Sequence, residues 1–306
     1  MVTLIKPEKA IDHLRRLALP TARIVSDTRQ IKAGDIFLAY RVGHGSAIQD
    51  SRPYIANALD AGVAAVIYDP ADLECISALS DARCFALENL SAHAGPICSE
   101  WYGNPSSQMM VFGVTGTNGK TSITQWLSQA LDRPKSRTAV MGTLGVGFPG
   151  HLEATGYTTP NAARLQTELK VLLDSNAKQI AMEVSSHALE QGRVNGVQFT
   201  TAVFSNLSQD HLDYHGSMAE YAAVKFRLFQ FPGLQNAVIN LEDPLGRELA
   251  MLLLAKTGVQ VWGYAVDRNT FAGFEKFGKR LHAIFSNSTR FKEYGYQGVF
   301  EWQDHG

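Results

Sequence analysis

The chain has 306 residues, 45% of them apolar and 19% charged, and a formal net charge of -1. That length suggests about two domains with cores of ordinary size, while the near-neutral balance gives no support for a nucleic-acid partner or a role at a charged membrane surface. No apolar run is long enough to cross a bilayer, Met1 to Pro20 is too charged for a signal peptide, and cysteines at 75, 84 and 98 fit neither a disulfide framework nor a zinc site, so the cytoplasm is the expected compartment.

Residues 1–89 read as a small α/β domain. Ala10 to Leu17 has the spacing of a short amphipathic helix; Asp35 to Ala39 reads as a strand, Tyr54 to Ala61 as a helix stopped by Gly62, and Val63 to Tyr68 and Cys84 to Leu87 as further strands. Two polar loops, Ser26-Asp27-Thr28-Arg29 and Val42 to Ser46, interrupt these elements, and ordinary turn chemistry suffices for either taken alone. Ser91 to Tyr102 reads as a linker helix closed by Gly103-Asn104-Pro105.

From residue 90 to 306 a second domain is expected. Strands at 109–114, 138–142, 179–184, 200–205, 236–240 and 259–264 intersperse with helices at 121–131, 161–174, 217–230 and 244–256. Such alternation predicts an α/β fold with a largely parallel sheet, whose ligands bind beyond the carboxyl ends of the strands. After Tyr264 the pattern degrades, and only Gln297 to Trp302 alternates weakly, like one arm of a hairpin.

The first strand of this domain runs into Gly113-Val-Thr-Gly-Thr-Asn-Gly-Lys-Thr121 and then a helix. Strand, glycine loop and helix N-terminus together form a P-loop-type phosphate site. Gly113, Gly116 and Gly119 are expected to turn with positive φ, Lys120 to place its charge on the β/γ-phosphates, and Thr121 to offer its hydroxyl to Mg²⁺. A standard pattern would place a glycine at Val114, so this loop is spaced differently. By itself it says only that a nucleoside triphosphate binds.

Other strand ends are unusually polar. Gln179 to Val184 carries Glu183 and continues into Ser185-Ser186-His187; Thr201 to Phe204 leads into Asn206 to His215, and the next helix carries Lys225. A carboxylate, imidazoles and the Thr121 hydroxyl suggest a hard-cation site. Each group also has an ordinary structural reading: Glu183 as a surface charge, His211 as a helix-capping or packing residue, His215 as loop surface, Lys225 as a solvated helix face.

The loop spacing resembles that of the Mur ligases and their folylpolyglutamate synthase relatives. Thr158-Thr159-Pro160, Met182 to Leu189, Gln191-Gly-Arg193, and Asn206 to Gly216 with Tyr221 and Lys225 are similar to the Mur ligase branch that adds the third peptide residue to UDP-N-acetylmuramoyl-L-alanyl-D-glutamate. Ser26 to Arg29, Gly34 to Phe37 and Gly43-His44 match that branch's uridine-binding domain more loosely, and the resemblance spans roughly residues 1–264.

The resemblance implies an ATP-dependent ligase of peptidoglycan precursor synthesis working through an acyl phosphate, with meso-diaminopimelate or L-lysine as the incoming amino acid. It implies ATP phosphates on Gly116, Thr117, Asn118, Gly119, Lys120, Thr121 and Ser122, and Mg²⁺ near Thr121, Glu183 and His211. Lys225 would be carried as a carbamate and serve as a metal ligand; Lys120, Glu183, His211 and Lys225 would form the catalytic set. Ser26, Thr28 and His44 would meet the uridine, and Thr158, Thr159, Ser185, Gln191 and Arg193 the muramoyl-dipeptide. Family members carry a third, C-terminal domain that grips the amino acid, and nothing here matches it. Two alternatives follow: a catalytically incomplete chain that binds UDP-muramoyl-dipeptide or nucleotide without turnover, and a folylpolyglutamate synthase-like ligase, against which the uridine-type domain and Thr158-Thr159-Pro160 argue.

Overall fold

The computed structural model describes residues 3–43, 48–73, 77–256, 258–274, 280–286 and 300–303. In chain order the regular elements begin with β1 (Thr3–Leu4), α1 (Ala10–Leu17), β2 (Ile24–Val25), β3 (Ile36–Ala39), β4 (Arg41–Val42), β5 (Gln49–Asp50), α2 (Ile55–Asp60), β6 (Ala65–Tyr68), β7 (Cys84–Ala86) and α3 (Leu90–Trp101). Then come β8 (Met110–Thr115), α4 (Lys120–Leu131), β9 (Arg137–Gly142), β10 (Gly145–Phe148), β11 (His151–Glu153), α5 (Ala162–Asp174), β12 (Ala177–Glu183) and α6 (Ser186–Glu190). The last are β13 (Thr201–Phe204), α7 (Leu212–His215), α8 (Met218–Phe226), β14 (Asn236–Asn240), α9 (Pro244–Lys256), β15 (Gln260–Ala265), β16 (Leu281–Ser286) and β17 (Phe300–Gln303).

These elements pack as two compact units. The first comprises Met1–Met109, Thr159–Lys178 and His187–Val197; the second Met110–Thr158, Gln179–Ser186 and Gln198–Gly306. Segments well beyond residue 89 therefore belong to the first unit.

In the first unit, the sheet order is β1-β7-β6-β3-β2, every pairing parallel. Side chains alternate across a strand, so a sheet covered on both faces must be apolar at every position. That explains the unbroken Ile36-Phe37-Leu38-Ala39. Ile36 and Leu38 join Ile67 and Phe85 in the core under α1, α3 and the start of α5 at Ala162 and Ala163. Phe37 and Ala39 join Val66, Tyr68 and Ala86 on the opposite face, under α2. Buried charge here is paired internally. Arg52, 4% exposed, pairs its guanidinium with Asp50 at 2.7 Å and also donates to the Asp69 and Ala71 carbonyls.

The second unit is a ten-stranded sheet, β11-β10-β9-β12-β8-β13-β14-β15-β16-β17. From β12 through β16 the neighbouring strands run parallel. β10 lies antiparallel to both β9 and β11, and β17 antiparallel to β16. The expected α/β class and largely parallel sheet are thus present. The apparent end of the pattern at Tyr264 is corrected: β16 extends the sheet beside β15, in register from Val261↔Leu281 to Ala265↔Phe285. No helix among the described residues is long and apolar enough to cross a membrane.

Candidate functional site

The second unit gathers the polar strand ends. β8 ends at Thr115, and the chain turns through Gly116 (φ +145°) and Gly119 (φ +85°) into α4. A Cβ on Gly116 would stand 1.9 Å from Ser205 Oγ, so the loop closes against β13 only with glycine there. Gly113 departs from expectation. It lies within β8 without a positive φ, and its missing side chain makes room for the Phe199 ring, which a Cβ would meet at 2.7 Å.

Residues just after β13 brace the loop. Thr117 N donates to Asn206 O (2.9 Å), Asn118 N to Asn206 Oδ1 (3.0 Å), and both Asn206 Nδ2 (3.1 Å) and Ser205 Oγ (2.6 Å) donate to Asn118 O. Gly119 caps α4 without a side-chain acceptor, so the first-turn N–H groups of Lys120, Thr121 and Ser122 are available to an anion at the positive end of the helix dipole.

Two lysines converge on this loop. Lys120 Nζ donates to Gly116 O (2.9 Å) and Thr117 O (2.8 Å), and Lys225 Nζ donates to the same Gly116 O at 2.9 Å. Lys225 is only 1% exposed, and its ammonium stands 4.5 Å from the centre of the Tyr221 ring. Burial above all, then the Lys120 charge, lowers its pKa from 10.5 to about 7, with Asp210 opposing. Burial likewise lowers that of Lys120, against the attraction of Glu183 and Asp210. Lys225 is therefore not a solvated helix residue.

Glu183, at the end of β12, is also 1% exposed. Its Oε2 accepts from Thr121 Oγ1 (3.0 Å) and Thr143 Oγ1 (3.2 Å), and its Oε1 from Thr143 N (2.8 Å). β9 passes so close that a Cβ on Gly142 would sit 2.1 Å from Oε1. The surface-charge reading of Glu183 is overturned. So is that of His215, which is buried and shares a 2.8 Å hydrogen bond between its Nε2 and Ser186 Oγ. His211 heads α7 in a left-handed conformation, half-exposed, with Nε2 3.4 Å from Asp210 Oδ2. As a cap it gives no side-chain hydrogen bond to the helix.

Thr158 lies in the same unit, its Oγ1 3.1 Å from Thr143 Oγ1, and Ser185 stands two residues after β12. The remaining expected residues lie in the first unit. Ser26 follows β2, and Thr28 opens a 3-10 turn capped by Asp27, whose carboxyl is held below the usual range by Arg29. Arg193 donates from Nε (2.9 Å) and Nη2 (2.6 Å) to Gln191 Oε1 and from Nη1 to Thr159 O (3.0 Å), so these three positions are tied together. His44 lies outside the described residues.

Thr143 is the contact that the sequence reading missed. It immediately follows β9, so asking of every strand what comes after it would have found it. Among the described residues no group of three or more His, Cys, Asp and Glu side chains could hold a metal by itself. One buried carboxylate beside the Thr121 hydroxyl nevertheless suits a hard cation that draws its other ligands from phosphates and water.

The pattern that defines the Mur ligase middle domain matches residues 114–297, more than half of the chain and past residue 264, where the sequence resemblance ends. The chain belongs to the Mur ligase family. Among curated Mur ligases, the UDP-N-acetylmuramoyl-L-alanyl-D-glutamate--2,6-diaminopimelate ligase of Ralstonia nicotianae is 48% identical over 258 residues, which is 84% of this chain and 50% of that one. A solved ligase of the same name superposes with a TM-score of 0.68 at 32% identity, covering 86% of this chain and 50% of the other. The Mur ligase fold also extends to a MurF ligase from Thermotoga maritima solved in complex with ADP, at a TM-score of 0.51 and 20% identity, covering 80% of this chain and 51% of that one. The chain thus spans about half the length of the curated relatives it matches.

Proposed function

We propose that this chain carries the nucleotide-handling and UDP-substrate-handling parts of an ATP-dependent ligase that joins 2,6-diaminopimelate to UDP-N-acetylmuramoyl-L-alanyl-D-glutamate in the cytoplasm. The observation that carries the reading is the convergence of Lys120 and Lys225 on Gly116 O beside a buried Glu183, in a chain 48% identical to a ligase named for that reaction. Residues 1–89 are assigned to the uridine end and, within 90–306, the residues of the second unit to ATP.

The first-turn amides of α4 hold the β- and γ-phosphates, and Lys120 leaves the loop carbonyls to bring its charge onto the phosphoryl group in transfer. The substrate's γ-carboxylate attacks that group to give an acyl phosphate. The amine of the amino acid then displaces phosphate through a tetrahedral intermediate. Thr121 and Glu183 would hold Mg²⁺, with His211 near a second ion; when bound, the ion neutralises charge developing on the phosphate oxygens. Ser26, Thr28 and His44 are assigned to the uridine, and Thr158, Thr159, Ser185, Gln191 and Arg193 to the muramoyl-dipeptide, Arg193 offering a fork suited to an anionic group.

A buried ammonium near a cation would repel it. With its pKa brought down to about 7, Lys225 has a substantial neutral fraction at physiological pH, able to attack CO₂ with loss of a proton and become an anionic carbamate. In that form Lys225 would supply oxygen ligands to a bound cation instead of repulsion.

Calorimetric titration of the 306-residue chain with Mg²⁺ and a non-hydrolysable ATP analogue, with UDP-N-acetylmuramoyl-L-alanyl-D-glutamate, and with a folate tests the reading. Binding of the first two and not of the folate is expected. Saturable folate binding with none of the UDP-dipeptide would overturn it.

A further inference from the structure

Thr143 stands between the carboxylate assigned to the cation and a hydroxyl assigned to the dipeptide, and nothing in the proposed reaction uses it. Its N–H donates to Glu183 Oε1 and its hydroxyl to Glu183 Oε2, while Thr158 Oγ1 lies 3.1 Å from that hydroxyl. A hydroxyl has one proton to give. A carboxylate has none, so the proton between Thr143 and Glu183 comes from Thr143. The contact between the two threonines then takes its proton from Thr158. In this arrangement Thr158 turns its only proton inward and presents an acceptor outward.

Resting on the function proposed above, we infer that Thr143 is a positioning residue that sets the hydrogen-bonding polarity of Thr158 according to what Glu183 holds. Glu183 Oε2 accepts from both Thr121 (3.0 Å) and Thr143 (3.2 Å); a cation held by Thr121 and Glu183 would compete with both donors, and the Thr143 hydroxyl, so released, would donate to Thr158 Oγ1. Thr158 then points its proton outward, where it can donate to an anionic group such as a substrate carboxylate. No covalent step is involved; two hydroxyls rotate. The coupling is reciprocal by linkage: Mg²⁺-nucleotide tightens the UDP-dipeptide, and the UDP-dipeptide tightens Mg²⁺-nucleotide by the same factor. The backbone N–H of Thr143 holds the other carboxylate oxygen throughout, so Glu183 keeps its orientation while the hydroxyl moves.

The test is calorimetric, on the 306-residue chain, measuring affinity for UDP-N-acetylmuramoyl-L-alanyl-D-glutamate in buffer, with AMPPNP plus Mg²⁺, and with AMPPNP plus EDTA. The parent is expected to bind the UDP-dipeptide about tenfold more tightly with Mg²⁺-AMPPNP, within the usual span of such couplings, and to show no gain with EDTA. Thr143→Val, which keeps shape and N–H but not the hydroxyl, should reduce the gain to less than about twofold while shifting Mg²⁺-AMPPNP affinity itself, measured without the dipeptide, by no more than about twofold. Thr143→Ser should restore the gain. Thr158→Val should lose it too, and the double variant should lose no more than either single one. Full coupling in Thr143→Val, failure of Thr143→Ser to rescue, or an equal loss of nucleotide and dipeptide affinity in Thr143→Val would overturn the relay and leave the proposed function standing. A parent chain that binds no UDP-dipeptide under any condition overturns both.

Discussion

The two units bury charge in opposite ways. In the first, Arg52 is sealed against Asp50, a bidentate pair with further carbonyl partners, and the buried Asp35 is closed by a half-exposed Arg23. In the second, the buried Glu183 is held by hydroxyl and amide donors, and among the described residues Lys225 forms no salt bridge but donates to a carbonyl. A charge neutralised by a counter-charge has its field end on its partner, whatever the pair's net worth to stability after desolvation. A charge oriented by neutral dipoles keeps its field for a ligand, at the cost of desolvation that shows in the depressed pKa of Lys225.

The difference can be broken most sharply at the loop. Lys120→Ala should lower ATP-dependent phosphoryl transfer, read as ADP release in an active form of the ligase, by roughly a thousandfold or more, since electrostatic groups on a transferring phosphoryl are worth about that much. Its melting temperature should stay within a degree or two of the parent. Retained turnover would remove Lys120 from the chemistry.

Arg52→Ala should do the reverse. Asp50, whose side chain is 26% exposed, can turn to water, so the cost is that of the lost charged hydrogen bonds, about 1.5–3 kcal/mol; urea unfolding should shift clearly while nucleotide affinity of the folded fraction stays unchanged. A variant as stable as the parent would show that the pair in the first unit contributes nothing.

Lys225 connects stability with pH. Its folded pKa, about 7, lies below the ordinary 10.5, so between these values the unfolded chain binds more protons and stability rises with pH. Below about pH 7 the penalty for burying the ammonium is fully present. In bicarbonate-free buffer, Lys225 should therefore add on the order of a few kcal/mol to the unfolding free energy between pH 7 and 10, read as the difference between the pH profiles of the parent and Lys225→Met. An unchanged slope in the variant would assign the dependence elsewhere. With bicarbonate added, Lys225→Glu should keep more acyl-phosphate formation than Lys225→Ala, because glutamate retains an anionic oxygen ligand; equal rates in the alanine variant and the parent would exclude the carbamate.

The smallest effect is expected at Arg193. Loss of a charged hydrogen bond costs about 1.5–3 kcal/mol, so Arg193→Ala should weaken the UDP-dipeptide about tenfold or more and leave Mg²⁺-nucleotide untouched. Unchanged dipeptide affinity would take Arg193 out of the site and leave it as the tie between Gln191 and Thr159.

Strands with strong apolar runs and helices with clear stops were readable: α1, β14 and α9 have the bounds that the sequence suggests, and the phosphate loop sits where its glycines put it. The β10–β11 hairpin was not. Gly145, Gly147 and Gly150 remove the side chains from which alternation is read, and in β10 glycine is needed because a Cβ at Gly147 would strike the His151 carbonyl. Periodicity also says which face of α5 is apolar without saying which sheet it meets, and its Ala162 and Ala163 pack into the core of the first unit. Burial was equally hidden at Lys225 and His215. Polar residues after a strand look alike in sequence whether they face water or close over a loop.

The division into units also sets a timetable for synthesis. The first unit takes Met1–Met109 but is completed only by Thr159–Lys178 and His187–Val197. At a translation rate of about 5–20 residues per second, the apolar surface that later receives Ala162 and Ala163 waits several seconds, while the strand and loop of the phosphate site are made in between. During that interval a nascent chain shows the ribosome exit and its attendant chaperones an apolar patch that α5 has yet to cover, and the nucleotide loop emerges before the unit that precedes it in sequence can finish folding.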